Sequence, residues 1–221
     1  MNPPESGSYR DGEERLDREL LRERGIATSG APLVTALASP DVIVKLAAAH
    51  LIGIAGDSTA IPALAALLED PIDLVQTEAA YALLRLDDPR GRPVLARWTH
   101  ERVDAFIAPA IAAGYLARAG DPSGLPTVRH SFDVDNVAVR ISACKRISDF
   151  LPYPEAEHDV DELFERALAD PEPDVVWQAL LQLREIRTAA ATALLERAAH
   201  ELRDTTSREL AVRFVDERRA R

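Results

Sequence analysis

The sequence predicts an all-α fold built from stacked helical hairpins, and three observations lead to this prediction. A fourteen-residue pattern recurs with starting points 31, 33 and 31 residues apart. A second marker, an Asp followed five residues later by a Pro, keeps the same step after each of the first three copies. Nowhere do polar and apolar residues alternate as they do in a strand. A repeat of this length is typical of a helical solenoid. The first four copies start at Val44, Val75, Ala108 and Val139.

The composition narrows the class of protein. The chain has 221 residues, a formal charge of −11, 47% apolar residues and one Cys. This apolar fraction excludes wholesale disorder, and one Cys excludes a disulfide framework and a multi-cysteine zinc site. The negative charge repels phosphate backbones, so nucleic-acid binding is disfavoured. We find no membrane-length apolar stretch and no signal sequence after Met1, so we expect a soluble, cytoplasmic protein.

The N-terminal region divides into a tail and a helix. Residues 1–10 are predicted to be disordered, because they begin with a segment that has two prolines and no periodic pattern of apolar residues. Residues 11–30 are predicted to form a charged cap helix and a linker, because three leucines fall on one helical side before a Gly stop. Residues 31–221 are then the repeat domain.

Each copy of the pattern is predicted to be the second helix of a hairpin. Positions 1, 5, 8, 9 and 12 are mostly apolar and form one stripe at 100° per residue. A shorter apolar segment precedes it, such as residues 62–68, where Pro62 suits a first helical turn. Later copies start at Val176 and Val212, and the terminal helix over 207–218 is predicted to direct Val212 and Val215 inward.

The repeat unit resembles the HEAT repeat, and it looks closest to the short bacterial variety named after phycobilisome lyases. The resemblance implies a right-handed α-α superhelical solenoid of about five to six hairpins, and it says little about function. The third copy departs from the motif, because Ala108 and Pro109 occupy its Val-Arg positions, and the fifth has Trp177 at the Arg position. Both departures weaken the ladder of Asp–Arg contacts expected between neighbouring repeats. The matching residues are Val44, Lys45, Ala47, Ala48, Gly53, Gly56 and Asp57, then Val139, Arg140 and Ala143, then Val212 and Arg213.

A partner-binding ridge is predicted on the concave side, which the second helices line in the HEAT family. Positions 3, 7 and 10 lie opposite the core stripe. The third copy has only small residues at these positions, whereas the neighbouring copies have larger side chains. This dip could receive a partner helix or peptide, or alanine could simply be common in this chain. The ridge residues are Leu46, His50, Tyr81, Leu84, Gly114, Ile141 and Lys145.

Two kinds of HEAT-like enzyme suggest catalytic roles for certain residues of this chain. The alternative is that these side chains are solvated at the surface or packed between helices. Deoxyhypusine hydroxylase binds iron through His-Glu pairs, and two such pairs occur here, at 100–101 and 200–201, but they do not occupy equivalent positions. Alkylpurine glycosylases need aromatic residues and an acid, for which Trp98, Asp104 and Trp177 are available. The surrounding motif does not match, and Trp177 is better explained by packing between repeats.

No catalytic constellation is predicted. Cys144 stands before two basic residues, so it is either a reactive thiol or a small apolar filler. Phosphate loops, nucleophile elbows and metalloprotease helices are missing, so we expect no cofactor and no metal. The predicted function is a non-catalytic scaffold or adaptor for a protein partner, possibly one with a basic surface. The alternative is a HEAT-like enzyme or auxiliary, bilin-lyase-like or glycosylase-like, acting on a small molecule or base.

Overall fold

The computed structural model describes residues 7–100 and 107–220, with side chains from Gly12 onward. All regular elements in these ranges are helices, which confirms the all-α solenoid class. The α-helices are α1 (Gly7–Glu23), α2 (Ala31–Ala36), α3 (Val42–Ala55), α4 (Ile61–Ala66), α5 (Asp73–Arg85), α6 (Gly91–His100), α7 (Ala108–Arg118), α8 (Leu125–Ser131), α9 (Val137–Cys144), α10 (Glu157–Leu168), α11 (Pro173–Glu185), α12 (Ala189–Glu201) and α13 (Thr205–Arg219).

The described residues divide into two compact units. The first contains 7–100 and 111–124, and the second contains 107–110 and 125–220. The predicted single repeat domain over 31–221 stays a prediction. None of the described helices is long and apolar enough to cross a membrane.

The N-terminal helix begins earlier than the sequence indicates. α1 starts at Gly7, so residues 7–10 belong to a helix and not to the predicted tail, while residues 1–6 lie outside the described part of the chain. Leu21 anchors α1 to the core with no exposed surface, and it packs in a cluster with Leu33 and Leu51. Leu16 of the same stripe remains 59% exposed, and the cap-helix assignment stays a prediction.

Local chemistry fixes where the second helices begin and end. Asp41 caps α3 by accepting a hydrogen bond from the Ile43 amide at 2.9 Å. Gly56 ends the same helix with φ 70°, a left-handed conformation that glycine adopts without strain. Asp57 then caps the short 3₁₀ turn that leads to Pro62, as the Asp–Pro marker predicts. Capping residues thus set the repeat length.

Position 2 of the pattern carries the ladder between hairpins. In the first unit Lys45 contacts Asp70 at 2.5 Å, and in the second unit Arg140 contacts Asp170 at 2.8 Å. Both aspartates also accept a backbone amide two residues later, so each one holds a loop and a helix together. The departure at Trp177 gives a different link, in which its indole N–H donates to Ser207 Oγ at 3.1 Å.

The second unit is closed by α13, whose register differs from the predicted one. Phe214 and Val215 are buried, whereas Val212 is 43% exposed, so the prediction that Val212 points inward is wrong. Asp204 caps the helix by accepting the Ser207 amide at 2.7 Å. This cap sets the rotation of α13, and Ala211 with Phe214 then faces the core.

Candidate functional site

The predicted ridge residues differ strongly in exposure. Tyr81 is only 5% exposed, because its ring stacks on Tyr115 at 4.0 Å between centroids and 5° between planes. Gly114 is buried as well. Their assignment to an accessible ridge is therefore wrong. For Tyr81 the physical reason is that α5 packs against α3, α4 and α6, which leaves this helix little free surface.

The other ridge residues are half-buried and fall into both units. Leu46 and His50 lie on α3, and Leu84 lies on α5 in the first unit. Ile141 and Lys145 belong to the second unit. The structure brings only Leu46 and His50 together in a cleft, and the partner-binding role of the whole set stays a prediction.

An open cleft of about 230 Å³ lies in the first unit where α1 packs against α3. It combines three carboxylates, one imidazole and one phenol with two leucines, all within one compact unit. The residues that line it are Glu13, Leu16, Asp17, Leu46, His50, Glu78 and Tyr115.

One polar pair in the cleft joins α1 to α3. His50 Nδ1 donates to Asp17 Oδ2 over 2.5 Å, and both side chains are mostly covered. Burial by itself lowers the pKa of His50. The hydrogen bond to Asp17 and the negative charges of Glu78, Asp17 and Glu13 outweigh that effect and raise the pKa above 6.5. His50 therefore favours its protonated form beside these acids.

A second polar pair joins α5 to α7. The Tyr115 hydroxyl donates to Glu78 Oε2. The other oxygen, Oε1, is shielded from solvent and has no hydrogen-bond partner among the described residues. Burial raises the pKa of Glu78 above 4.5, although the charge of His50 and the hydrogen bond from Tyr115 lower it in part. An unpaired buried carboxylate oxygen is a rare feature and requires an explanation.

Glu78, Tyr115, Asp17 and Glu13 were not predicted from the sequence. A signal for Glu78 is present, because position 4 of the pattern is otherwise Ala, Ile or Ser in the first five copies. Tyr115 likewise occupies position 8, which belongs to the apolar stripe. A charged residue at position 4, where the other copies have a small or apolar residue, is the signal that points to the site.

The residues considered for enzymatic chemistry do not form a site among the described ranges. Trp98 is buried in α6, and its indole N–H has no hydrogen-bond partner there. Trp177 is 40% exposed on α11. Asp104 and Glu101 lie outside the described residues, and His100 and His200 are exposed near helix ends. Residues 7–100 and 107–220 contain no group of three acidic, His or Cys side chains that could hold a metal ion.

Cys144 has the environment of a structural residue. It is fully buried, and its Sγ lies 3.8 Å from the Val175 carbonyl oxygen. Burial raises the pKa of the thiol far above its usual range, and the nearby charge of Asp170 adds to this effect. The apolar-filler interpretation fits these observations, whereas a reactive thiol needs a lowered pKa.

Comparisons with known proteins identify the class of the repeats. The family model for HEAT repeats matches residues 30–113. Residues 30–113 are therefore HEAT repeats, which confirms the predicted resemblance for this part of the chain. No curated protein matches the sequence.

Solved structures share the fold at low sequence identity. The complex of CpcE and CpcF of phycocyanin lyase from Nostoc sp. PCC7120 is similar with 18% identity and a TM-score of 0.50, over 96% of this chain and 90% of that one. An engineered protein is similar with 18% identity and a TM-score of 0.49, over 86% of this chain and 98% of that one. Human deoxyhypusine hydroxylase in complex with glycerol is similar with 16% identity and a TM-score of 0.40, over 96% of each chain. The first comparison supports the fold alone.

Proposed function

We propose that this chain is a non-catalytic scaffold that binds a protein partner through the cleft of the first unit. The observation that carries the proposal is the unpaired Glu78 oxygen beside an open cleft. HEAT repeats form rigid surfaces whose packing is complete without the partner, so association costs little ordering of the scaffold. The cleft is thus ready to receive a group from another protein.

The charge of the cleft favours a basic partner. Glu13, Asp17 and Glu78 supply three carboxylates, and His50 is the one basic group among the lining residues. The whole chain carries a net charge of −11, which attracts a positively charged surface at long range and weakens as salt increases. We therefore expect association that is faster at low ionic strength.

An apolar rim adds to this polar centre. Leu16 is 59% exposed at the edge of the cleft, and Leu46 is half-buried inside it. A polar group surrounded by exposed apolar side chains is a common arrangement in protein interfaces. The proposed contact surface is accordingly Leu16, Leu46 and the polar residues between them, and extension toward Leu84, Ile141 and Lys145 remains part of the proposal.

The test compares two exposed apolar residues that belong to different units. Tagged wild-type protein, Leu16→Asp and Val212→Asp are used to capture proteins from the native source, followed by mass spectrometry. A protein retained by the wild type is then purified, and its affinity is measured at two salt concentrations. We expect Leu16→Asp to lose binding and Val212→Asp to keep it. Equal behaviour of the two variants, or no purified protein that binds directly, contradicts the proposal.

A second candidate function is favoured by the shifted pKa values in the same cleft. His50 and Glu78 have raised pKa values beside an opening, an arrangement that acid–base enzymes use. A bilin is the small molecule that the resemblance to the phycobilisome-lyase repeats implies. Titration of the chain with a free bilin, monitored by absorption, tests this candidate. The scaffold proposal expects no spectral shift, and a saturable shift lost in His50→Gln would favour the alternative.

A further inference from the structure

We infer that the cleft of the first unit is a binding site for a primary alkylammonium group, that of a lysine side chain on the protein partner. The inference deepens the proposed function and depends on it for the source of this group. It rests on three observations: the state of the Glu78 carboxylate, the way its neighbours are already engaged, and the apolar residues beside it.

The Glu78 carboxylate lacks one of the two contacts that its oxygens require. Oε2 accepts from Tyr115, whereas Oε1 is buried without a hydrogen-bond partner among the described residues. Leaving an ionised oxygen unpaired away from water costs about 1–3 kcal/mol or more. A cation that enters the adjoining cleft supplies the missing donor after a small rotation of the carboxylate. The geometry therefore gives the Glu78 carboxylate a role in binding a cation.

The engaged oxygens favour an ammonium over a guanidinium group. A guanidinium binds a carboxylate most strongly as a planar fork, which uses both oxygens of one carboxylate. Tyr115 already contacts Oε2 of Glu78, and His50 contacts Oδ2 of Asp17, so neither of these carboxylates presents two free oxygens to a fork. An ammonium is a compact point charge with three donors that can be directed at single oxygens on different residues. Lysine fits this distribution better than arginine does.

The apolar residues of the cleft suit the stem of a lysine. Leu16 and Leu46 are among the residues that line the cleft. Long cationic side chains bury their methylene groups along such surfaces while the charge reaches a polar centre. The volume of about 230 Å³ exceeds that of a butylammonium group, so the stem and charge enter together.

The experiment titrates the purified full chain with n-butylammonium chloride and follows amide shifts by NMR. Parallel titrations use n-butylguanidinium chloride and n-butanol, which test the planar fork and the apolar stem separately. We expect saturable shifts confined to α1, α3, α5 and α7 with n-butylammonium. Affinity for n-butylguanidinium should be about tenfold weaker, which corresponds to one lost charge-assisted hydrogen bond. No saturation should occur with n-butanol.

Three variants sharpen this test. Glu78→Gln keeps the shape of the side chain and should weaken n-butylammonium binding by about tenfold or more. Glu69→Gln, an exposed glutamate of the same unit, is the matched control and should change nothing. Tyr115→Phe retains the stacked ring and frees Oε2, so it should raise affinity for n-butylguanidinium relative to n-butylammonium. A purely structural role of Tyr115 would not change this selectivity.

Several outcomes overturn the inference. Equal affinities for the two cations, saturation by n-butanol alone, or unchanged binding in Glu78→Gln would each contradict it. The result is separable from the proposed function. A purified partner that binds through Leu16 without any ammonium binding leaves the scaffold in place and removes the lysine site. Ammonium binding without any partner protein does the reverse.

Discussion

Position 7 of the repeat pattern carries His50 in the first unit and Gln182 in the second, and the surroundings of these residues differ. Gln182 is 7% exposed, and its amide group is fully used: Nε2 donates to the Cys144 carbonyl at 2.6 Å, and Oε1 accepts from the Ser148 amide at 3.4 Å. His50 instead shares an open cleft with Glu78, which keeps one oxygen unpaired.

The difference separates a structural polar residue from a functional one. A buried polar group that satisfies backbone atoms rigidifies the fold and needs no ligand. An unsatisfied one beside an opening destabilises the free protein and is retained when something else pairs with it. A polar residue of the repeat thus serves packing in the second unit and, as we propose, recognition in the first.

The largest expected effect concerns the ladder between hairpins, which is more deeply buried in the second unit. Arg140 donates to Asp170 and to the carbonyl oxygens of Val134 and Asp135. Arg140→Met leaves the buried Asp170 carboxylate without its cationic partner, so we expect a loss of about 3–5 kcal/mol in the free energy of unfolding, measured with urea. Lys45→Met in the first unit breaks one contact and should cost less.

A matched control exists at the same pattern position in the last hairpin. Arg213 is exposed, and Arg213→Met should change the free energy of unfolding by no more than about 0.5 kcal/mol. Equal losses for Arg140 and Arg213 would show that burial of the ladder does not determine its contribution.

The second prediction compares Gln182 with Glu78 and expects their substitutions to change the free energy of unfolding in opposite directions. Gln182→Met leaves a carbonyl and an amide unpaired and should destabilise the chain by about 1–3 kcal/mol. Glu78→Gln removes a buried charge while the side-chain oxygen can still accept from Tyr115, so it should stabilise the chain by about 1 kcal/mol at neutral pH. Urea unfolding measures both. Destabilisation by both variants would make Glu78 a structural residue like Gln182.

The third prediction uses pH to separate the two polar positions. The raised pKa of His50 makes its contribution to stability complete below 6.5 and lost as pH rises through the folded value. Glu78 acts in the same direction, because its raised pKa favours the protonated form and this contribution is lost as pH rises above 4.5. Asp17, Glu13 and Tyr115 are the other titratable groups in the cleft.

Stability should therefore fall as pH increases across this range, and urea unfolding at a series of pH values measures the slope. The double variant His50→Gln with Glu78→Gln should flatten it, whereas Gln182→Met should leave it unchanged. Asp70 gives the opposite pH dependence at more acidic pH. Burial raises the pKa of Asp70, but hydrogen bonds from Lys45 and the Ile72 amide outweigh this effect and lower the pKa below 3.8. The contribution of Asp70 to stability is therefore lost as pH falls through its folded pKa. An unchanged slope in the double variant would contradict the assignment.

Much of the fold follows from the sequence because each hairpin depends on local signals. Asp41 and Gly56 delimit α3 close to the predicted frame, since caps act within one turn of the helix. The exposed side of Val212 was not predicted, because the last copies are spaced differently and the cap at Asp204 fixes a new rotation. Local chemistry is readable in the sequence, whereas rotation in an irregular copy depends on tertiary packing.

The candidate site could be predicted only in part. Leu46 and His50 follow from helical geometry, because they lie opposite the core stripe of α3. Asp17 joins them only because α1 packs against α3, and the sequence gives no indication of which helix the cap helix contacts. Tyr81 was placed on the ridge by the same geometry, yet its stacking on Tyr115 buries it. Contacts between distant segments determine the site, and periodicity does not report them.

The smallest effect is expected at position 6 of the pattern, where the first unit has Ala49, Ala80 and Ala113 and the second has Cys144. All four are buried, so Cys144→Ala converts the second unit to the residue of the first and should cost at most about 1 kcal/mol in unfolding free energy. The thiol should react with a thiol reagent only under urea, because burial raises its pKa and covers the sulfur. Rapid labelling of the native chain would contradict the filler role and would mean that this part of the second unit opens readily.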